Sequence, residues 1–131
     1  MKKFLSSFFI TGILALGVMQ SGCALFLVGA GAAGGYAIIG KDEIEGMADA
    51  SSDKVYRAAR EVIKSQGAIT FENAATGEIN AAVNNSQVEI HIEQVTPKTV
   101  RTRIKARKTS GLFPDIDLAQ NIYGQLLRKI R

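Results

Sequence analysis

Between residues 78 and 107 apolar and polar side chains alternate almost without a break, and no other feature constrains the fold as tightly. Ile79, Ala81 and Val83 share one parity, Val88, Ile90 and Ile92 the next, and Val100, Thr102, Ile104 and Ala106 the third. A period of two puts such residues on one face of a β-strand. The inward-apolar, outward-polar pattern belongs to antiparallel sheets with one covered face. Strands are therefore predicted over residues 78–83, 86–94 and 99–107, with a further strand over 68–72 whose Ile69 and Phe71 point inward.

Parity also sets the turns, because a one-residue slip reverses every side chain. The odd-to-even change after Val83 requires an even loop, and Asn84-Asn85 fits, since Asn tolerates positive φ. The next pair keeps even parity and needs an odd loop, which Thr96-Pro97-Lys98 supplies. The resulting register pairs Ala81 with Val88, Ile79 with Ile90, Ile90 with Ile104 and Ile92 with Thr102. On the outer face it sets Glu93 opposite Arg101, His91 opposite Arg103 and Glu78, and Glu89 opposite Lys105. Exposed pairs of this kind contribute about 0.2–1 kcal/mol each, so they select register more than they stabilise.

Helical patterns flank the strands. Ser51-Ser52-Asp53 offers a hydroxyl cap and a first-turn acid, and Val55, Tyr56, Ala59, Val62 and Ile63 fall on one face before Gly67. A closing helix is predicted from a cap at Asp115 or Asp117 to about Ile130, with a stripe of Leu118, Ile122, Leu126, Leu127 and Ile130. Arg128, Lys129 and Arg131 suit its C-terminal dipole. The expected fold class is α+β: a helix, a four-stranded antiparallel meander and a helix, with both helices on one sheet face.

The 131-residue chain is long enough for one domain, and its start has a different character. Lys2 and Lys3 precede an uncharged, mostly apolar run over residues 4–19, closed by the small residues Ser21 and Gly22. This is the order of a secretory signal peptide. Cys23 is the only cysteine, so an internal disulfide is excluded, and a leftover thiol in an exported protein needs a role. Ser21-Gly22-Cys23 resembles the lipobox of bacterial lipoproteins, with Gln20 where Leu is usual. That resemblance implies acylation of Cys23, cleavage before it, and anchoring by two or three acyl chains, which hold where one is marginal. Ala24 in place of Asp favours the outer membrane under the enterobacterial sorting rule. The competing reading is an uncleaved membrane helix with an incidental cysteine.

Residues 24–40 carry no charge. Gly29, Gly31 and Gly34 imitate a dinucleotide-binding turn, but no helix of sufficient length, second strand and acidic end follow, so nucleotide binding is rejected. The stretch reads as a flexible spacer or, through Gly31 and Gly35, as a closely packing helix; a short helix or hairpin at the membrane surface is favoured. The expected division is 1–22 signal peptide, 23–40 lipid-anchored apolar Gly/Ala-rich segment, 41–50 acidic linker and 51–131 small α+β domain.

Charge is unevenly divided. Residues 41–96 hold five basic against ten acidic side chains, and residues 97–131 hold nine against two. The row Arg101, Arg103, Lys105 and Arg107 is the candidate contact for an anionic ligand, although a ladder against Glu89 and Glu93 explains it more simply. Nucleic acid is excluded by export and by the lack of interleaved aromatics. His91, the only histidine, has no thiol partners and has cationic neighbours, so no metal site is expected. No nucleophile elbow surrounds Ser110, and Asp115 and Asp117 read as helix caps. Neither a catalytic constellation nor a cofactor is expected.

The chain also resembles a family of small Gram-negative lipoproteins known only as a domain of unknown function. The residues carrying this are Ser21-Gly22-Cys23, the Gly/Ala run to Tyr36, Lys54-Val55-Tyr56-x-Ala58, and residues 104–115 leading into 120–130. In that family an Arg-rich strand, a Gly-Asp turn and a closing helix end the domain, and residues 111–115 form a longer version of that turn. The resemblance implies an anchored α+β domain and brings no activity or site. The expectation is a non-enzymatic envelope lipoprotein, held to the membrane through Cys23 and facing the periplasm from the outer membrane, with a structural or interaction role toward an envelope protein. The alternative is a module that binds anionic lipid head groups or a small ligand on the basic sheet face.

Overall fold

The computed structural model describes residues 36–111 and 113–131. Its elements are β1 (Tyr36–Ile38), β2 (Glu43–Asp49), α1 (Ser52–Gln66), β3 (Gly67–Asn73), β4 (Glu78–Val83), β5 (Ser86–Gln94), β6 (Thr99–Lys108) and α2 (Ile116–Ile130). All six strands form one sheet in the order β1-β2-β6-β5-β4-β3, and every neighbouring pair is antiparallel. The four-stranded meander is therefore corrected. Strands β3 to β6 are neighbours in the expected sequence, but β1 and β2 add to the free edge of β6. Residues 41–50, expected as an acidic linker, contain β2, and β1 lies in the segment assigned to the anchor.

The physical reason lies in what β2 turns inward. Ile44 is fully buried, but the next inward positions are Gly46 and Ala48, which carry almost no apolar signal. The outward positions Glu43 and Glu45 lie opposite Lys105 and Arg103 of β6. Small residues within and acids without look like a connector until the basic partner strand is considered. The missing inward volume comes from α2. Tyr123, 1% exposed, occupies the space above Gly46, where an added Cβ would lie 2.1 Å from the phenol oxygen. Burial pushes the Tyr123 hydroxyl up to about 12. Tyr36 of β1 meets the same ring edge-on, at 5.7 Å between centroids and 79° between planes.

Within the four expected strands the register is as parity required. Ala81 faces Val88, Ile79 faces Ile90, Ile90 faces Ile104 and Ile92 faces Thr102. Asn84 has φ 52° in the two-residue turn between Val83 and Ser86. The edge strand departs from expectation. A bulge between Ile69 and Phe71 reverses parity, so Phe71 is half-exposed instead of buried. Gly67 does not end α1 in the left-handed region; it is extended and already the first residue of β3. An added Cβ there would lie 2.1 Å from the Ala82 carbonyl oxygen, so space and not φ requires the glycine.

Both helices cover the inward face. Helix α1 buries Val55, Ala58, Ala59, Val62 and Ile63, and Ser51 caps it by accepting from the Lys54 N–H at 3.3 Å. Helix α2 buries Ala119, Ile122, Tyr123 and Leu126. Asp115 is the N-cap residue of α2, its carbonyl accepting from Ala119 N–H at 3.2 Å, and its carboxylate also accepts from Ser86 and pairs with Lys108. The core is mostly Ile, Val and Ala, and burying each large aliphatic side chain contributes about 1.5–3 kcal/mol.

Gly46→Ala is expected to cost about 1–3 kcal/mol, because the new methyl overfills the space held by Tyr123. A urea midpoint measures the loss. Combined with Tyr123→Ala it should cost less than the sum of the two single changes; strict additivity would remove the packing explanation.

Candidate functional site

The outer face of the sheet is charged in columns. Across it run Glu45, Arg103, His91 and Glu78; Met47, Arg101 and Glu93; and Glu43, Lys105, Glu89 and Asn80. The structure thus aligns Arg101, Arg103, Lys105 and Arg107 along β6 as the sequence implied. It also shows how the row is occupied. Arg103 Nε donates to Glu45 Oε2 at 2.9 Å, and Arg101 lies 3.8 Å from Glu45 Oε1. Arg101 Nη1 donates to Glu93 Oε2 at 3.3 Å, and Arg107 donates to Asp42. Lys105 lies between Glu43 and Glu89 in the register. Glu45 and Asp42 were missed as partners because their strand and its approach read as linker. The acids at every second position, 43 and 45, were the available signal.

Two shielded carboxylates flank one β6 residue. Ala106 N–H donates to the Asp42 carbonyl, and its own carbonyl accepts from Asp115 N–H, both at 2.9 Å. Pro114 then bridges Arg107, so residues 113–115 continue along the β6 edge where β2 leaves it. The Arg107 guanidinium, by its hydrogen bond, holds the Asp42 carboxyl below the usual aspartate value against the opposing effect of burial. For Asp115 the Ser86 hydroxyl, at 2.6 Å, is the main lowering influence; burial opposes it, and Lys108 at 3.1 Å adds to it. Ser86 is itself 1% exposed, so this trio is a structural clasp between β5, β6 and the start of α2.

A cavity of about 640 Å³ opens between the start of α1, the β3–β4 turn and the end of β5, lined by Ser52, Tyr56, Arg57, Arg60, Thr76 and Gln94 among others. Its polar groups largely bind one another. Ser52 N–H donates to Gln94 Oε1 at 2.8 Å, Arg60 grips Glu72 at 2.5 and 3.0 Å, and Arg57 Nε donates to the Asp53 carbonyl at 3.4 Å. Burial and the nearby Glu72 carboxylate push the Tyr56 hydroxyl up. His91 stands on the exposed outer face opposite Arg103 and Glu78. Among the described residues no three His, Cys, Asp or Glu side chains gather as a metal set, and no helix is long and apolar enough to cross a membrane. Cys23 lies outside the described residues.

A family model described as "Protein of unknown function (DUF3568)" matches residues 3–122. No curated protein sequence matches the chain. Similar solved structures include the di-domain ARO/CYC StfQ from the steffimycin biosynthetic pathway, at TM-score 0.34 and 8% identity over 72% of this chain. This chain spans only 27% of that protein. A conserved protein from Geobacillus kaustophilus matches at TM-score 0.29 and 9% identity, covering 73% of this chain and 70% of its own. Likenesses this low bear on neither activity nor substrate.

The two aspartates predict an acid limb of stability. Their native pKa values lie below the ordinary aspartate value of 3.8, so the unfolded chain takes up protons first as pH falls. The stabilisation is present above 3.8 and is lost as pH drops below it through the lowered native values. Urea midpoints measured from pH 5 downward should fall less steeply in Asp115→Asn than in the wild type. Equal slopes would show that the Ser86–Lys108 clasp does not set the acid limit.

Proposed function

The chain belongs to the DUF3568 family of proteins of unknown function, and we propose that it is a lipid-anchored lipoprotein of the Gram-negative cell envelope with a non-enzymatic structural or interaction role. The observation that carries this reading is the order of features at the chain start: a basic end, an apolar run, small residues, and then Cys23. Cleavage before Cys23 leaves a short tether. Tyr36, the first residue of β1, is 13 positions beyond Cys23, and at about 3.3–3.6 Å per residue the link reaches no more than ~47 Å. A domain held this close works at or beside the membrane surface. The residue after Cys23 is Ala24, which favours the outer membrane and a domain facing the periplasm.

A non-enzymatic role is supported by how the polar side chains are used. In the cavity at the start of α1, Ser52 binds Gln94 and Arg60 binds Glu72, and the shielded aspartates bind Arg107, Ser86 and Lys108. The alternative, recognition of anionic head groups or a small ligand by the basic sheet face, draws less support. Arg101, Arg103 and Arg107 are already engaged by Glu93, Glu45 and Asp42.

Cys23→Ser, expressed in Gram-negative cells, should accumulate at precursor size and lose acyl incorporation. Normal processing and wild-type acylation of that variant would overturn the anchored reading. Charge reversal at Arg101 and Arg103 tests the alternative. Unchanged binding to vesicles rich in phosphatidylglycerol is the outcome expected from their present pairing, whereas a marked loss would favour the head-group reading.

A further inference from the structure

Three exposed large apolar side chains, including the two most exposed among the described residues, lie at one end of the sheet, while Phe71, as exposed as Ile39, stands apart on the opposite edge strand. Phe113 is 64% exposed and Ile38 57%, and Ile39 is half-exposed. Ile38 and Ile39 close β1 and enter the turn to β2, and Phe113 lies in the loop between β6 and α2. These two segments are neighbours, because Asp42 and Asp115 are successive partners of Ala106 on the same edge of β6. Gly111, with φ 75°, turns the loop beyond the sheet.

The charges at this end are arranged unequally with respect to water. Two carboxylates are withdrawn, the Asp42 and Asp115 side chains being only 12% and 13% exposed, while Asp117 in the first turn of α2 is exposed. Arg107 and Lys108, the partners of Asp42 and Asp115, are about half-exposed, and Lys41 is exposed beside them. A surface approaching this end meets three cations, Lys41, Arg107 and Lys108, and the apolar side chains, against one exposed acid, Asp117. Apolar side chains ringed by basic residues suit the interface of an anionic bilayer, where burial and electrostatic attraction act together. The position in the chain points to the same partner. The uncharged stretch 24–40 does not stop where the domain begins; its last members include Ile38 and Ile39, left uncovered on an edge strand. Exposed apolar clusters of this kind mark interaction sites.

We infer that the β1–β2 turn and Phe113, before α2, form a membrane-docking tip, which seats Ile38, Ile39 and Phe113 in the interface of the bilayer that carries the anchor. This rests on the anchored reading above and adds an orientation to it. The domain stands with this end on the lipid, and the β5–β6 turn, at the far end of a nine-residue strand, lies ~30 Å away.

The chain contains no tryptophan, so a single introduced indole reports on its own surroundings. Ile39→Trp, Phe113→Trp and, as a distant reference, Val95→Trp are made in the full chain, each at an exposed position. The acylated proteins are reconstituted into phosphatidylethanolamine–phosphatidylglycerol vesicles with or without brominated acyl chains. The indoles at 39 and 113 should emit at shorter wavelength than the one at 95. They should be quenched most by bromines near the head groups, consistent with a depth of about 5–10 Å. The indole at 95 should stay unquenched. Emission at 39 and 113 equal to that at 95 would overturn the docking tip while leaving the anchor intact. A blue shift without bromine quenching would also overturn it, since residues 24–35 or another protein would then cover the tip. If the wild-type chain does not float with the vesicles at all, the anchored reading itself fails and takes this one with it.

Discussion

The domain depends on β6 being hydrogen-bonded along both edges. One edge pairs with β5 through a short turn, which is cheap in loop entropy. The other pairs with β2, and the Arg103–Glu45 contact across it spans 58 positions of sequence. Between those two strands the chain builds α1, β3, β4 and β5. The second pairing therefore closes a loop that holds most of the core. Each contact within it must offset the ordering of a long segment, and no single one does so. The aliphatic core makes closure favourable, and the alternating charges of β2 and β6 set which register is adopted.

Tyr123 shows how that closure reaches the helix layer. Its ring fills the volume left by Gly46, and Tyr36 packs on its edge. One side chain of α2 thereby joins α2, β2 and β1. A larger inward residue on β2 would push the helix away, and a smaller residue at 123 would leave a void beneath β1. The glycine and the tyrosine are one packing unit, although 77 positions separate them.

The sheet end beyond Ala106 has a different economy. Asp42 and Asp115 are drawn inward and bind Arg107, Ser86 and Lys108, so the backbone there is clasped from both sides. The outward remainder is apolar and mainly cationic, with Asp117 the exposed acid beside it. Under the proposed anchoring, a clasp beneath that surface means that the segments proposed to touch the bilayer do not have to be ordered by it. On the outer sheet face the same kind of pairing has the opposite consequence: Glu45 and Glu93 quench the arginines that otherwise suggest an anion site.

The sequence by itself determined the register of β4, β5 and β6, the Asn84-Asn85 turn, the cap at Ser51 and the cationic row on β6. Each follows from side-chain period or from a local bond, which are readable within a few residues. Tertiary structure alone decided that residues 43–49 are a strand, that Phe71 turns outward at a bulge, that Asp115 binds Ser86 as well as starting the helix, and that Arg101, Arg103 and Arg107 of the row are paired with acids. The common reason is distance along the chain. Gly46 makes sense only beneath Tyr123, and Glu45 only beside Arg103. A residue whose role is to fit or to neutralise a remote partner carries no periodic signal of its own.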